Sequence, residues 1–146
     1  MDYRKLDGKI YLRLDKGDEL LATILQVCRN AGIHSATFHG IGAFGKARVA
    51  TYIPEKEDFL EHEKQGMLEL LSLDGNITHD RDGQIYEHAH AIFSYLDEHG
   101  EICFFGGHLK SAVVSYTAEI VIDPIPDAGI GRMTDPYTGI TVWNLH

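Results

Sequence analysis

Apolar residues recur at helical spacing in one stretch of this chain. In "DKGDELLATILQVCRNAG" (15–32), Leu20, Leu21, Ile24, Leu25, Cys28 and Ala31 fall three or four apart, the stripe that one face of an α-helix presents. The spacing predicts a helix over 17–31. Asp15 or Gly17 can cap its start, Asp18 and Glu19 suit the positive end of its dipole, and Gly32 can end it.

Elsewhere the pattern is that of strands. "KIYLRL" (9–14) alternates apolar and polar residues and reads as a strand. "HSATFHGIGAFGKARVATYIP" (34–54) offers two strands, with Gly40, Gly42 and Gly45 between and within them. "DFLEHEKQ" (58–65) predicts a short strand, and "GMLELLSLDGNIT" (66–78) another, with the turn-prone pair Asp74 and Gly75 near its end. "GQIYEHAHAIFSYLD" (83–97) and "GEICFFGGHLK" (100–110) are strands around a turn at 97–100. "AVVSYTAEIVIDP" (112–124) is dense in β-branched residues and stops at Pro124. Residues 124–146 form a C-terminal extension, whose "GITVWNL" is either a last strand or a segment docking on a neighbour. The sum is an α+β fold, a mostly antiparallel sheet of about seven strands with one main helix packed on it. No linker or repeat divides the 146 residues, so one domain is expected over 1–146.

One helix leaves the other face of such a sheet without cover. Strands such as "AVVSYTAEIVI" carry more apolar residues than a single helix can bury, so association of several chains is expected. No apolar run approaches the ~20 residues of a membrane span, and the N-terminus lacks the apolar segment of a signal peptide. The expected compartment is the cytoplasm. The formal net charge of -9 argues against direct nucleic-acid binding, because an acidic surface repels phosphate backbones. Cys28 and Cys103 are too few for a disulfide framework and read as buried free thiols.

The candidate chemistry lies in "YEHAHAIFSYLDEHGEICFFGGHLKS" (86–111). His88 and His90 are two apart on a strand and share a face. If Glu98, His99 and Gly100 form a three-residue loop, paired residue numbers sum to about 198, and His108 stands opposite His90. A two-residue loop would put His108 on the other face. Three imidazoles on one face suit zinc or another borderline divalent ion, since a catalytic zinc often has three protein ligands and an open position. Each ring should then donate its other N–H to a carboxylate, carbonyl or water. Gly106 and Gly107 beside His108 would permit a bulge or the close approach of a ligand.

Other motifs give less. "GIGAFG" (40–45) has the G-x-G-x-x-G spacing, but a strand-like segment follows it where a dinucleotide loop needs a helix, so its glycines read as turn and bulge residues. Alternation places Glu69 and Glu119 on the polar face. An inward Glu119 near the histidines would be a candidate base or fourth ligand. His34, His39, His62, His79, His99 and His146 sit near polar residues or turns and read as surface or structural; His39, followed by glycines, is the least settled of them.

Three stretches together, "HGIGAFGKARV" (39–49), "GMLELLSLDGNIT" (66–78) and "EHAHAIFSYLDEHGEICFFGGHLKSAVVSYTAEIVI" (87–122), resemble the PPC family, the plants and prokaryotes conserved domain. The opening "KGDELLATILQVCRNAGI" (16–33) matches too, and the resemblance covers about 5–123. It implies an antiparallel sheet with one helix, assembly as a homotrimer, and a histidine-bound metal whose matching ligand positions are His88, His90 and His108. A catalytic residue does not follow from it. Plant members pair the domain with an AT-hook of the R-G-R-P type. Here "GIGRMTDP" holds a lone Arg132 with no basic neighbours, which sets the family's DNA-binding label apart from this chain. The resemblance leaves room for a regulatory role, a small-molecule ligand, or a metal-dependent enzyme in which the three histidines activate water or polarise a carbonyl.

Overall fold

The structure, a computed structural model, describes residues 1–126 and 129–146. The chain begins as a hairpin of β1 (Asp2–Leu6) and β2 (Lys9–Asp15). Asp7 and Gly8 turn it with positive φ angles of 47° and 82°, the conformation that two-residue hairpin turns require. The hydrophobic pattern gave no sign of β1, because every residue of "DYRKL" is exposed.

The helix α1 (Leu20–Asn30) starts later than its spacing predicts. Its cap is Glu19 rather than Asp15 or Gly17. One Glu19 carboxylate oxygen accepts the Ala22 N–H at 2.7 Å and the other accepts the Ala112 N–H at 3.0 Å. One side chain therefore ends the helix and ties it to the sheet. Leu20, Leu21, Ile24 and Cys28 of the stripe are buried, Leu25 and Ala31 only partly, and Val27, outside the stripe, is buried with them. Burial pushes the Cys28 thiol up to about 11, which leaves it protonated and inert at neutral pH. Cys103 is only partly buried, contrary to expectation.

Six strands follow: β3 (Ala36–Ile53), β4 (Asp58–His79), β5 (Ile85–Leu96), β6 (Ile102–Pro124), β7 (Gly131–Thr134) and β8 (Thr141–Asn144). Pairs of expected strands have merged into β3, β4 and β6, and the last hairpin is formed by the extension. The glycines that suggested breaks in β3 lie at bulges inside one long strand, at 40–42 and 44–46, and β4 carries a further bulge at 70–72 that the sequence did not mark. Bulges bend strands, and here β5 pairs with both β4 and β6, while β3 also pairs with both. The four strands thus close a circuit. All the pairings are antiparallel except a single bridge of His79 with Gly131.

The core lies between α1 and the inner face of this sheet. Phe38, Phe44 and Phe93 are among its largest buried side chains, and Phe44 meets Phe93 edge to face at 5.8 Å, a favoured aromatic geometry. The outer face carries the alternate residues. Among the described residues no helix is long and apolar enough to cross a membrane.

Asp74 and Gly75 make no turn. They lie mid-strand, and Gly75 is opposite Phe38 on β3. A Cβ at Gly75 would run into the Phe38 ring and stand 2.8 Å from the His88 carbonyl oxygen. Gly75→Ala should therefore destabilise the fold by about 1–3 kcal/mol, the usual cost of overpacking. Urea denaturation measures it; an unchanged midpoint would show that Phe38 moves aside freely.

Candidate metal centre

The site begins with the turn between β5 and β6. Asp97 donates its N–H to the Glu101 carbonyl at 3.0 Å, and its Oδ1 accepts the N–H groups of His99 and Glu101 at 2.8 and 2.9 Å. Gly100 takes the left-handed position with φ +80°. This is the three-residue loop, so Leu96 pairs with Ile102 and, six residues along, His90 with His108. His88 follows on the same face.

The glycines beside His108 serve that register. A Cβ at Gly106 would stand 2.5 Å from the Ala91 carbonyl oxygen, and one at Gly107, with φ +148°, 2.7 Å from that of Ala50. Without side chains here, β6 fits between β5 and β3, and His108 pairs with both His90 and Ala50.

The three rings meet. Centroids of His88 and His90 are 5.4 Å apart, of His88 and His108 5.0 Å, and of His90 and His108 5.5 Å. One nitrogen from each lies within 4.8 Å of the others, and this is the one such group of three possible ligands among the described residues. Nitrogens sharing a tetrahedral zinc stand about 3.3 Å apart, a difference that side-chain rotation spans. Three imidazoles would suit a borderline divalent ion and would leave room for a further ligand on it. Burial, then the charges of His90 and Arg132, hold His88 below the usual histidine range. Burial, then Lys110, His88 and His90, lower His108 to about 4. Both rings are therefore neutral at pH 7, the form that binds metal. The expected carboxylate or carbonyl partner for each second N–H is not found among the described residues.

Strand pairing sets a row of polar side chains across the outer face. His39 pairs with Asp74, Asp74 with His90, and His90 with His108. The Ser72 hydroxyl donates to Asp74 Oδ2 at 2.9 Å. Beside this row, Asn76 is opposite His88, and its Oδ1 accepts the Trp143 Nε1–H at 3.3 Å. Glu69 and Glu119 are exposed on the outer face. Glu119 stands across from Ile41 and Arg13 and is no part of the three-histidine group. His39 joins the row but not the group. Asp74, Asn76 and Trp143 escaped the sequence reading. Carrying the strand's alternation through the turn-prone pair would have found the first two, since Asp74 and Asn76 alternate with the inward Leu73, Gly75 and Ile77.

Fold and site together define a small α+β domain with a three-histidine cluster on the uncovered face of its sheet. The Plants and Prokaryotes Conserved (PCC) domain matches residues 1–126, and the chain belongs to this family, the PPC family of the sequence motifs. A metal-containing protein from Archaeoglobus fulgidus is 32% identical, with 99% of each chain covered and a TM-score of 0.82. A plant- and prokaryote-conserved protein from Pyrococcus horikoshii is 30% identical over 98% of this chain and 93% of its own, TM-score 0.78. A protein from Ralstonia eutropha JMP134, provisionally described as DNA-binding, is 27% identical over 99% and 96%, TM-score 0.84. No curated protein matches significantly.

The lowered histidines make a prediction for the metal-free protein. An unfolded histidine takes up its proton near pH ~6.5, whereas folded His108 stays neutral to about 4. As pH falls through that window the unfolded chain gains protons the folded one does not, so stability declines. His108→Asn should flatten this decline in denaturation curves measured between pH 7 and 4. Parallel curves for the two proteins would contradict it.

Proposed function

We propose that this chain binds one divalent metal ion, zinc by preference, through neutral imidazole nitrogens of His88, His90 and His108, within a cytoplasmic homotrimer that handles a small molecule or serves a regulatory role. The observation that carries this reading is the convergence of the three rings on the outer face. The metal-containing relative from Archaeoglobus fulgidus supports it. Assembly is supported by the apolar side chains left on that face: Leu96 and Ile102 are each 65% exposed and Phe104 59%, with Ile41, Leu71 and Ile92 also bare. Contiguous patches of this kind mark interaction surfaces. The DNA-binding description of some relatives is not extended to this chain, because its net charge is -9 and the electrostatic term that drives DNA association is repulsive.

A second reading, a metal-dependent enzyme, draws on Asp74. The ion would activate water or polarise a carbonyl. Asp74, beside His90 in the row, would take up a proton.

The test uses protein made without a histidine tag, loaded with zinc and dialysed. Wild type should retain one ion per chain and sediment as three chains. His108→Ala should lose about 100-fold or more in zinc affinity, at or beyond the upper end of what even indirect ligand support is worth, while His39→Ala should bind as wild type does. Equal zinc content in wild type and His108→Ala would refute the site, and a monomer at micromolar concentration would refute the assembly.

A further inference from the structure

The family match ends at residue 126, yet the segment beyond it reaches the histidine site. Strands β7 and β8 form a hairpin in which Arg132 and Trp143 are directly paired, so their side chains leave the same side. Trp143 reaches Asn76 and walls a cleft of about 440 Å³ with Thr37, His39, Asp74, His88 and His90. The Arg132 guanidinium carbon lies 4.4 Å from the centre of the Tyr86 ring, and Tyr86 stands two residues before His88 on β5.

Arg132 has no ion-pair partner among the described residues. The neighbouring carboxylate, Asp80, is engaged otherwise: it accepts the Tyr86 hydroxyl at 2.9 Å and the N–H groups of Asp82 and Gln84 at 2.9 and 3.0 Å. Stacking on Tyr86 therefore holds a cation in place without neutralising it. A divalent ion on the imidazoles would outweigh Asp74, the carboxylate of the cleft, and Arg132 stands beside that lining, over Tyr86. This locally positive cleft on an acidic protein calls for an anion. The planar guanidinium fork matches a carboxylate bidentately, and the flat apolar wall of Trp143 suits a carbon skeleton, which inorganic phosphate lacks.

We propose that Arg132 and Trp143 of the C-terminal hairpin form a carboxylate-binding wall of the histidine site, for a small organic acid whose other end carries an oxygen donor to the metal. This rests on the three-histidine metal reading, and its test separates the two. Trp143 is the only tryptophan of the chain, so its fluorescence reports on the cleft directly. The probes are lactate, its neutral amide lactamide, and inorganic phosphate, titrated into cobalt-loaded protein and followed by Trp143 emission and cobalt absorption. Lactate should bind at least about tenfold more tightly than lactamide, the factor a charge-assisted hydrogen bond supplies. Arg132→Gln should bring lactate down to the lactamide level with cobalt content unchanged, and Arg132→Lys should restore part of the difference. Trp143→Ala, followed by cobalt absorption, should weaken lactate without abolishing its preference over lactamide. Equal affinity for lactate and lactamide in wild type, a lactate preference that survives Arg132→Gln, or tighter binding of phosphate than of lactate would each overturn the carboxylate wall while leaving the metal site standing. Failure to take up cobalt would overturn both.

Discussion

The candidate site depends on the register between β5 and β6. Side chains alternate along a strand, so a slip of one residue would carry His108 to the inner face and a histidine into the apolar core. Three features hold the register. Asp97 closes the loop with its backbone and with its carboxylate, Gly100 supplies the left-handed residue that the loop needs, and Gly106 and Gly107 let β6 lie between two neighbours. Phe93 and the other inward residues of β5 make the alternative costly, because slipping them outward would expose the centre of the core. The packing of one face thus positions the chemistry of the other.

The same division explains why the site is open. Helix α1 covers the inner face alone, anchored by Glu19 at both the helix start and β6. The outer face keeps its polar row from His39 through Asp74 and His90 to His108, together with a bare apolar group around Phe104 and Ile102. A metal ion held there would be reached from outside, with Trp143 and Arg132 at its flank. Burial costs on His88 and His108 keep the rings neutral without any acidic partner among the described residues. Local desolvation sets this neutral form, with the charges of Lys110 at His108 and of Arg132 at His88 adding to it.

The helix and the histidine hairpin were legible because each has strong local signals: a 3.6-residue stripe for one, and a turn sequence that fixes register for the other. The long bent strands were not. Gly40, Gly42 and Gly75 look like breaks in a linear reading. In three dimensions they are places where strands bend or where a neighbour's backbone or ring lies close. Reading Asp74 as a turn residue hid its place beside His90. Trp143 could not be placed from the sequence at all, since its contact with Asn76 joins residues 67 apart. The strand β1, wholly exposed, is held by hairpin pairing with β2 and leaves no hydrophobic pattern.

X-ray absorption at the zinc edge, on zinc-loaded protein free of any tag, tests the central claim most directly. Three imidazole nitrogens and one oxygen ligand at about 2.0–2.1 Å are expected, falling to two imidazoles or to loss of bound zinc in His108→Ala. A zinc shell made mainly of oxygen, or a spectrum unchanged by removal of His108, would contradict it.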